Sequence, residues 1–219
     1  MNRIMQYSIG IALGAALVLS ACGSDDDSSS GPEILPAGDG VGDSSAADLL
    51  TQYAAGLIEV PADENVFIDP ANCDMGRSTE EVYFAPTWSS EGDTTVSCTM
   101  SADQVLMLQP VGSYCIEAAG DTVDEACLDS IWDVASSSVT IDAEETTDLT
   151  AHEVEGAIET VTLPEGNILD AAAGDTTMNS RAQVILVQGL PAGDHVVKVA
   201  GEFGDGFAGS LTIDLTVED

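Results

Sequence analysis

The feature that most constrains the fold is a strict alternation of apolar and polar side chains near the end of the chain. Polar residues from Thr212 to Glu218 alternate with four apolar ones, which are Leu211, Ile213, Leu215 and Val217. A period of two places the apolar side chains on one face of a strand and the polar ones on the other. The pattern therefore predicts a half-buried antiparallel strand at the edge of a core.

Similar short apolar runs lie upstream, separated by Gly, Pro and Asp. Because Val and Thr are abundant in these runs, we predict further strands at 138–142, 159–163, 184–188 and 195–200. Turn sequences at 189–194 and 204–206 connect the last three strands of the chain. We expect those three strands to form a meander.

Helical periodicity is confined to two short segments. Residues 46–57 place apolar side chains on one face, with Ser45 as an N-cap, and a weaker helix is predicted at 121–132. Apolar residues make up 44% of the chain, so a sizeable core can form. The predicted fold class is all-β: an antiparallel β-sandwich with one or two short helices and two disulfides, in a single domain at 46–219.

The N-terminal segment has the parts of an export signal. Arg3 precedes an apolar core of about 11 residues, 9–19, which is shorter than the ~20 residues of a membrane-spanning helix. Residues 19–22, Leu-Ser-Ala-Cys, match the lipobox of bacterial lipoproteins at every position. The alternatives are a transmembrane helix or a plain secretory signal.

The resemblance to bacterial lipoproteins implies a signal peptide at 1–21 that is cleaved before Cys22. It also implies a diacylglycerol on the Cys22 sulfur and a third acyl chain, such as palmitate, on its amino group. Two or more chains give stable membrane anchoring. Because Gly23 rather than aspartate follows, we expect the protein in the cell envelope, lipid-anchored at the outer membrane of a Gram-negative bacterium.

Residues 22–45 are rich in Gly, Ser and Asp and offer almost nothing to bury. We expect this segment to be a disordered acidic tether. A calcium loop is the alternative use of its aspartates, but the segment holds no DxDxDG sequence. Calcium is therefore kept only as the alternative cofactor, and no other cofactor or metal site is predicted.

The chain is strongly acidic, with 39 Asp and Glu against 4 Lys and Arg. Removal of residues 1–21, which hold one basic residue and no acid, changes the formal net charge from −35 to −36. Such a chain repels nucleic acid and anionic membrane surfaces, so its membrane partner is reached through the lipid. Solvation in salty water explains the charge; a surface for cations is the alternative.

Four cysteines remain after Cys22 is assigned to lipid. An even number in an oxidising compartment indicates two disulfides, and four cysteines allow three pairings. We predict the two local pairs, Cys73–Cys98 and Cys115–Cys127. A metal site is the alternative, but no CxxC spacing supports it.

The order of several segments resembles an uncharacterised family of secreted bacterial β-sandwich proteins. The matching pieces are 82–85 (VYFA), 105–111 (VLMLQPV), 139–142 (VTID), 162–168 (TLPEGNI) and 190–199 (LPAGDHVVKV). Together they span roughly residues 60–217. The chain departs from the family at Ala143, where glycine is usual, and in its greater acidity. The resemblance implies a β-sandwich and brings no catalytic residue with it.

Catalytic motifs are nearly absent from the sequence. Residues 152–156, HEVEG, begin like a zincin helix, but Gly156 stands where the second histidine is needed. We expect His195 to be an exposed polar residue at a strand start. Trp88 and Trp132 are predicted to be core aromatics, with a sugar-binding platform as the alternative.

Two classes of function remain. The first is a lipid-anchored cell-envelope binding or structural module, whose protein or glycan partner the sequence does not specify. The alternative is an envelope hydrolase that uses carboxylates or calcium. The arrangement of the acids separates the two, since converging carboxylates would form a site and scattered ones would serve solvation.

Overall fold

The computed structural model describes residues 31–73 and 78–219. The helices are α1 (Ala46–Glu59) and α2 (Glu125–Ile131). The strands in chain order are β1 (Glu33–Ile34), β2 (Val82–Phe84), β3 (Gly92–Ser101), β4 (Val105–Leu108), β5 (Gly112–Ile116), β6 (Val134–Ile141), β7 (Glu144–Thr147), β8 (Glu153–Glu155), β9 (Glu159–Leu163), β10 (Gly174–Gln183), β11 (Ile185–Gln188), β12 (Gly193–Phe203) and β13 (Ala208–Glu218).

The strands form three open sheets. The first has five strands in the order β3-β13-β12-β6-β7, and the second has four in the order β1-β11-β4-β2. The third has the order β5-β10-β8, with β9 also paired to β10. Because β11 follows β10 after a single residue, the second and third sheets are joined by nearly continuous chain.

The four-stranded sheet with β4 lies between two apolar cores. Leu106 and Leu108 of β4 pack in the core shared with the five-stranded sheet. Met107, between them, packs in a second core with α1, β9 and β10. Since neighbouring residues of a strand point to opposite faces, this short strand serves both cores.

The all-β, sandwich-like fold with two short helices is confirmed. Most strand pairs are antiparallel, but β3 pairs with β13 and β2 pairs with β4 in parallel. The alternation at 211–217 does mark a strand with its apolar face in the core, since Leu211, Ile213, Leu215 and Val217 are all buried.

The predicted meander is wrong in one respect. β12 and β13 form a long antiparallel hairpin, but β11 belongs to a different sheet, where it pairs with β1 and β4. The turn at 189–194 therefore carries the chain from one layer of the sandwich to the other. Turn residues predict that the chain reverses, but they do not specify which sheet receives the next strand.

Helix α1 begins where the sequence predicted. Ser45 Oγ accepts a hydrogen bond from the Asp48 N–H, and the Asp48 carboxylate accepts one from the Ser45 N–H, which completes a capping box. Leu50 and Leu57 are buried against the sheets. Helix α2 is shorter than predicted and has Asp124 as its N-cap.

The folded part of the chain starts earlier than predicted. Glu33–Ile34 pair with β11, and Leu35 and Val41 pack against the core that contains α1. The prediction of a disordered tether as far as residue 45 is therefore wrong for residues 33–45. The few apolar residues among the Gly and Asp are enough to attach this segment to an open sheet edge.

Both predicted disulfides are present. Cys73–Cys98 joins the loop after α1 to β3, and Cys115–Cys127 joins β5 to α2. The signal segment and Cys22 lie outside the described residues. Within the described part of the chain, no helix combines the length and the hydropathy that crossing a bilayer requires.

Candidate functional site

A groove of about 940 Å³ lies on the outer face of the five-stranded sheet and continues past its edge. A row of directly paired residues crosses all five strands and lines it: Thr147, Ser138, Ala200, Ser210 and Asp93. Paired residues point to the same face of a sheet. Because Val139, Val199 and Leu211 beside them are buried, this row faces outward.

The groove owes its depth to small side chains. Residues 136–138 are three consecutive serines, and Ala200, Ala208 and Gly209 add almost no side-chain volume. The larger Lys198 and Glu202 lie along the same strand as Ala200 and line the groove with it. Its volume is within the range of about 300–1,000 Å³ that small-ligand sites occupy.

The lining is strongly acidic. It includes six carboxylates, which are Asp93, Asp133, Glu145, Asp148, Glu153 and Glu202, and one lysine, Lys198. Lys198 Nζ lies 3.8 Å from Asp93 Oδ1, but both side chains are largely exposed, so this ion pair adds little stability. The groove therefore carries a negative field that attracts cations.

Part of this acidity is already compensated. Asp93 accepts a short hydrogen bond from Ser210 Oγ, and Asp148 accepts one from Thr150 Oγ1 at 3.3 Å. Glu153 Oε1 lies 3.8 Å from Arg181 Nε. Asp133, Glu145 and Glu202 form no ion pair with the described residues. They are the carboxylates most available to a bound group.

Gln183 is the unusual polar residue of the groove. It ends β10, where its N–H donates to the Val111 carbonyl at 3.1 Å, and it pairs with Glu153 of β8. The residue is 3% exposed, yet Gln183 Oε1 accepts no hydrogen bond from the described residues. An unsatisfied buried polar atom costs about 1–3 kcal/mol, so such atoms are rare without a purpose.

The two tryptophans have different positions. Trp88 is buried, as predicted, and its Nε1–H donates to the Pro110 carbonyl at 2.6 Å. Trp132 caps the C-terminus of α2, where its N–H donates to the Leu128 carbonyl at 2.9 Å. Its half-buried ring packs against the core and lines the groove.

The expectation that His195 is exposed is wrong. The side chain is 8% exposed, with Nδ1 2.7 Å from Asp142 Oδ2 and Nε2 2.8 Å from the Pro191 carbonyl oxygen. His195 lies two residues before Val197 and four before Val199, which are both buried. Because alternate residues of a strand share a face, His195 points inward with them. That signal was present in the sequence.

His152 does not belong to a zincin helix. It ends a single 3₁₀ turn at Leu149–His152, and residues 153–155 form strand β8. Among the described residues, no group of three or more His, Cys, Asp or Glu side chains is placed to hold a metal ion. The carboxylates of the groove line its walls without converging on one point.

Gln183 and the groove itself were missed by sequence reasoning. Gln183 follows a polar stretch of β10 and carries no motif. The groove is lined by residues of seven strands that are spread along the sequence. Only the serine run at 136–138 was visible as an unusual feature. Which side chains meet on a sheet face depends on the register between strands, and the sequence of one strand does not state its partner.

Comparison with models of known protein families gives no match. Comparison with curated protein sequences gives none either. Among solved structures, the chain is similar to PbICP-C in its complex with falcipain-2, with 11% identity and a TM-score of 0.26 over 59% of this chain and 92% of that one. It is also similar to amebosin in solution, with 11% identity and a TM-score of 0.17 over 58% of this chain and 98% of that one. Such low TM-scores carry no functional argument.

Proposed function

We propose that this chain is a lipid-anchored binding module of the bacterial cell envelope, held at the outer membrane through Cys22. The groove on the five-stranded sheet is its ligand site. The observation that carries the proposal is the combination of a groove of about 940 Å³ with a buried, unpartnered Gln183 Oε1 in its lining.

Three features support the envelope location. Residues 19–22 match the lipobox, and the excess of acids leaves no basic patch for binding to anionic lipid. Cys73–Cys98 and Cys115–Cys127 suit an oxidising compartment outside the cytoplasm. The lipid would place the sandwich near the membrane.

The anchor is tested by labelling cells with radioactive palmitate. We expect label on the wild-type chain and none on Cys22→Ser, which should leave the membrane fraction. The double variant Cys115→Ser/Cys127→Ser is the control, because it removes two other cysteines and should keep the label. Label on Cys22→Ser would refute the anchor.

The groove is tested with the unlipidated Cys22→Ser chain and isolated envelopes of the source bacterium. Ser138 faces outward from the groove floor, so Ser138→Trp should fill the groove and reduce cosedimentation with envelopes. Thr99→Trp is the matched control, since exposed Thr99 is on β3 outside the groove. Equal cosedimentation of the two variants would refute the groove as the ligand site.

A further inference from the structure

We infer that the groove binds a protonated amino or guanidinium group, which donates a hydrogen bond to Gln183 Oε1. The inference rests on the proposed function, because it names the ligand class of the same groove. Its basis is the coincidence of an unpartnered buried acceptor, an excess of carboxylates and a half-buried indole in one lining.

Gln183 supplies the directional part of the site. A buried amide oxygen can accept two hydrogen bonds, and Gln183 Oε1 accepts none from the described residues. Gln183 lines the groove, so a small rotation of its side chain would bring this oxygen to a donor bound there. A ligand N–H would therefore satisfy an atom that the folded chain leaves unsatisfied.

The sign of the ligand charge follows from the carboxylates. Arg181, the cation near Gln183 in β10, is already engaged by Asp129 at 3.0 Å, Glu155 at 3.5 Å and Glu153 at 3.8 Å. It therefore adds little positive field to the groove. Glu145 and Glu202 face the groove without an ion pair to described residues, so an anionic ligand would be repelled and a cationic one attracted.

Trp132 adds a surface on which a cation can stack. Tryptophan is the strongest aromatic partner of ammonium and guanidinium groups, and the interaction grows as water is excluded. The half-buried Trp132 ring and the fully buried Leu149 line the groove together. Of these two residues, Trp132 keeps exposed surface and would contact the methylene stem of a basic side chain or of a polyamine.

The test measures binding of a labelled triarginine peptide to the unlipidated Cys22→Ser chain by fluorescence anisotropy. Tricitrulline, which has the same shape without charge, is the ligand control. We expect saturable binding of triarginine and at least about tenfold weaker binding of tricitrulline, as loss of a charge-assisted hydrogen bond predicts.

Two variant pairs locate the site. Gln183→Met removes the acceptor without changing net charge and should weaken triarginine binding about tenfold or more, whereas Gln52→Met on the exposed face of α1 should not. Glu202→Gln should weaken binding more than Glu165→Gln, which makes the same charge change in the turn after β9. Because Gln183→Met removes an unsatisfied polar atom, its melting temperature should equal or exceed that of the parent.

The source of the cation is distinguished by competition with spermidine. If spermidine displaces triarginine, and if Gln183→Met weakens spermidine binding as much as triarginine binding, a free polyamine is a sufficient ligand of the groove. Failure of spermidine to compete would identify a basic side chain of a partner protein. Either outcome supports the inference, because the recognised group is the same.

Any one of three results would overturn the inference. The first is equal triarginine affinity in Gln183→Met and Gln52→Met, and the second is equal binding of tricitrulline and triarginine. The third is the absence of saturable binding of triarginine and spermidine. The proposed function fails differently. If chitotriose binds and Ser138→Trp abolishes its binding while triarginine does not bind, the groove remains a ligand site for a neutral glycan. If Ser138→Trp leaves envelope cosedimentation unchanged, the binding module itself is refuted.

Discussion

His195 Nδ1 lies 2.7 Å from Asp142 Oδ2 and ties strand β12 to the turn between β6 and β7. On the other side of the ring, Nε2 lies 2.8 Å from the Pro191 carbonyl oxygen. Both ring nitrogens therefore face oxygen acceptors, and only the imidazolium form can donate to both. Asp142 Oδ1 also accepts the Val196 N–H at 2.9 Å, so the carboxylate bridges a side chain and a backbone.

The pKa values of the two partners move apart. Burial lowers the pKa of His195, but the hydrogen bonds to Asp142 and Pro191 and the charges of Asp142 and Asp194 outweigh it and raise the pKa above its ordinary 6.5. Burial raises the pKa of Asp142, but the His195 contact and the Val196 N–H outweigh it and lower the pKa below its ordinary 3.8. Both partners are therefore charged at mildly acidic pH.

The first prediction concerns pH. The stability from His195 is fully present below its unfolded pKa of 6.5 and is lost as pH rises through the higher folded pKa. The stability from Asp142 is present above 3.8 and is lost as pH falls through its lower folded pKa. Because the Asp142 side chain is 43% exposed, solvent screens part of its interaction with His195. We therefore expect Asp142→Asn to cost about 1 kcal/mol of unfolding free energy at about pH 5.5, and less at about pH 8.5.

Urea unfolding of the parent, Asp142→Asn, His195→Gln and the double variant at both pH values measures this coupling. Asp175→Asn is a matched control, because it removes an exposed carboxylate from β10, away from His195. A coupling energy that does not change between the two pH values would contradict the imidazolium form of His195.

The second prediction concerns the turn that presents Asp142. Asp142 and Ala143 have φ values of +49° and +73°, which is the left-handed region that a two-residue hairpin turn requires. Alanine is strained there, whereas glycine is not. Ala143→Gly should therefore stabilise the protein by about 1 kcal/mol, as measured by urea unfolding. Ala55→Gly in the middle of α1 is the control and should destabilise it, since glycine weakens a helix interior.

Local signals in the sequence predicted some of these structural features and not others. Apolar alternation located β13, and the Ser45 cap located α1, because these signals are local. The phase of β12 also predicts that His195 points inward, although its polarity and the nearby turn favoured an exposed position. No local signal assigns β11 to a separate sheet from β12, or brings Gln183 into one groove with the serines of β6, because both depend on long-range register.

The third prediction concerns two glycines that pair across β12 and β13. Gly201 faces Gly209, and both lie over the Trp88 ring. A Cβ on Gly201 would come within 2.3 Å of Val111 Cγ1 and 3.0 Å of the Pro110 oxygen, which is backbone and cannot move aside easily. Gly201→Ala should cost about 1–3 kcal/mol through overpacking, whereas Gly92→Ala is the control for a glycine with open space.

For Gly92→Ala, the expected loss of stability comes only from the positive φ of +96°, because the added Cβ would meet no atom within 4 Å. Thermal unfolding of both variants, followed by tryptophan fluorescence, compares the two costs and reports on the Trp88 environment. A Gly201→Ala variant with unchanged stability and fluorescence would contradict the close packing of Trp88 on the β12–β13 pair.

The fourth prediction concerns the Cys115–Cys127 disulfide, which closes a loop with a sequence separation of 12 residues between β5 and α2. On the chain-entropy model such a loop contributes about 3 kcal/mol. Helix α2 has only 7 residues, so we expect it to depend on this link. Cys115→Ala/Cys127→Ala should lower the unfolding free energy by about that amount, measured in urea, and Cys22→Ala should not.

The fifth prediction concerns salt. Self-repulsion at a formal charge of −36, derived from −35 by removal of Arg3, opposes compaction, and ions screen it. The described acids form no metal-holding group of three or more, and Asp205, in an Asp-Gly turn, accepts the Phe207 N–H at 2.9 Å. We expect the melting temperature to rise smoothly with sodium chloride. Calcium at constant ionic strength should add nothing beyond that rise. A saturable calcium-dependent increase that a chelator reverses in constant high salt would instead require a specific site, since only a ligand that binds the native state shifts stability in that way.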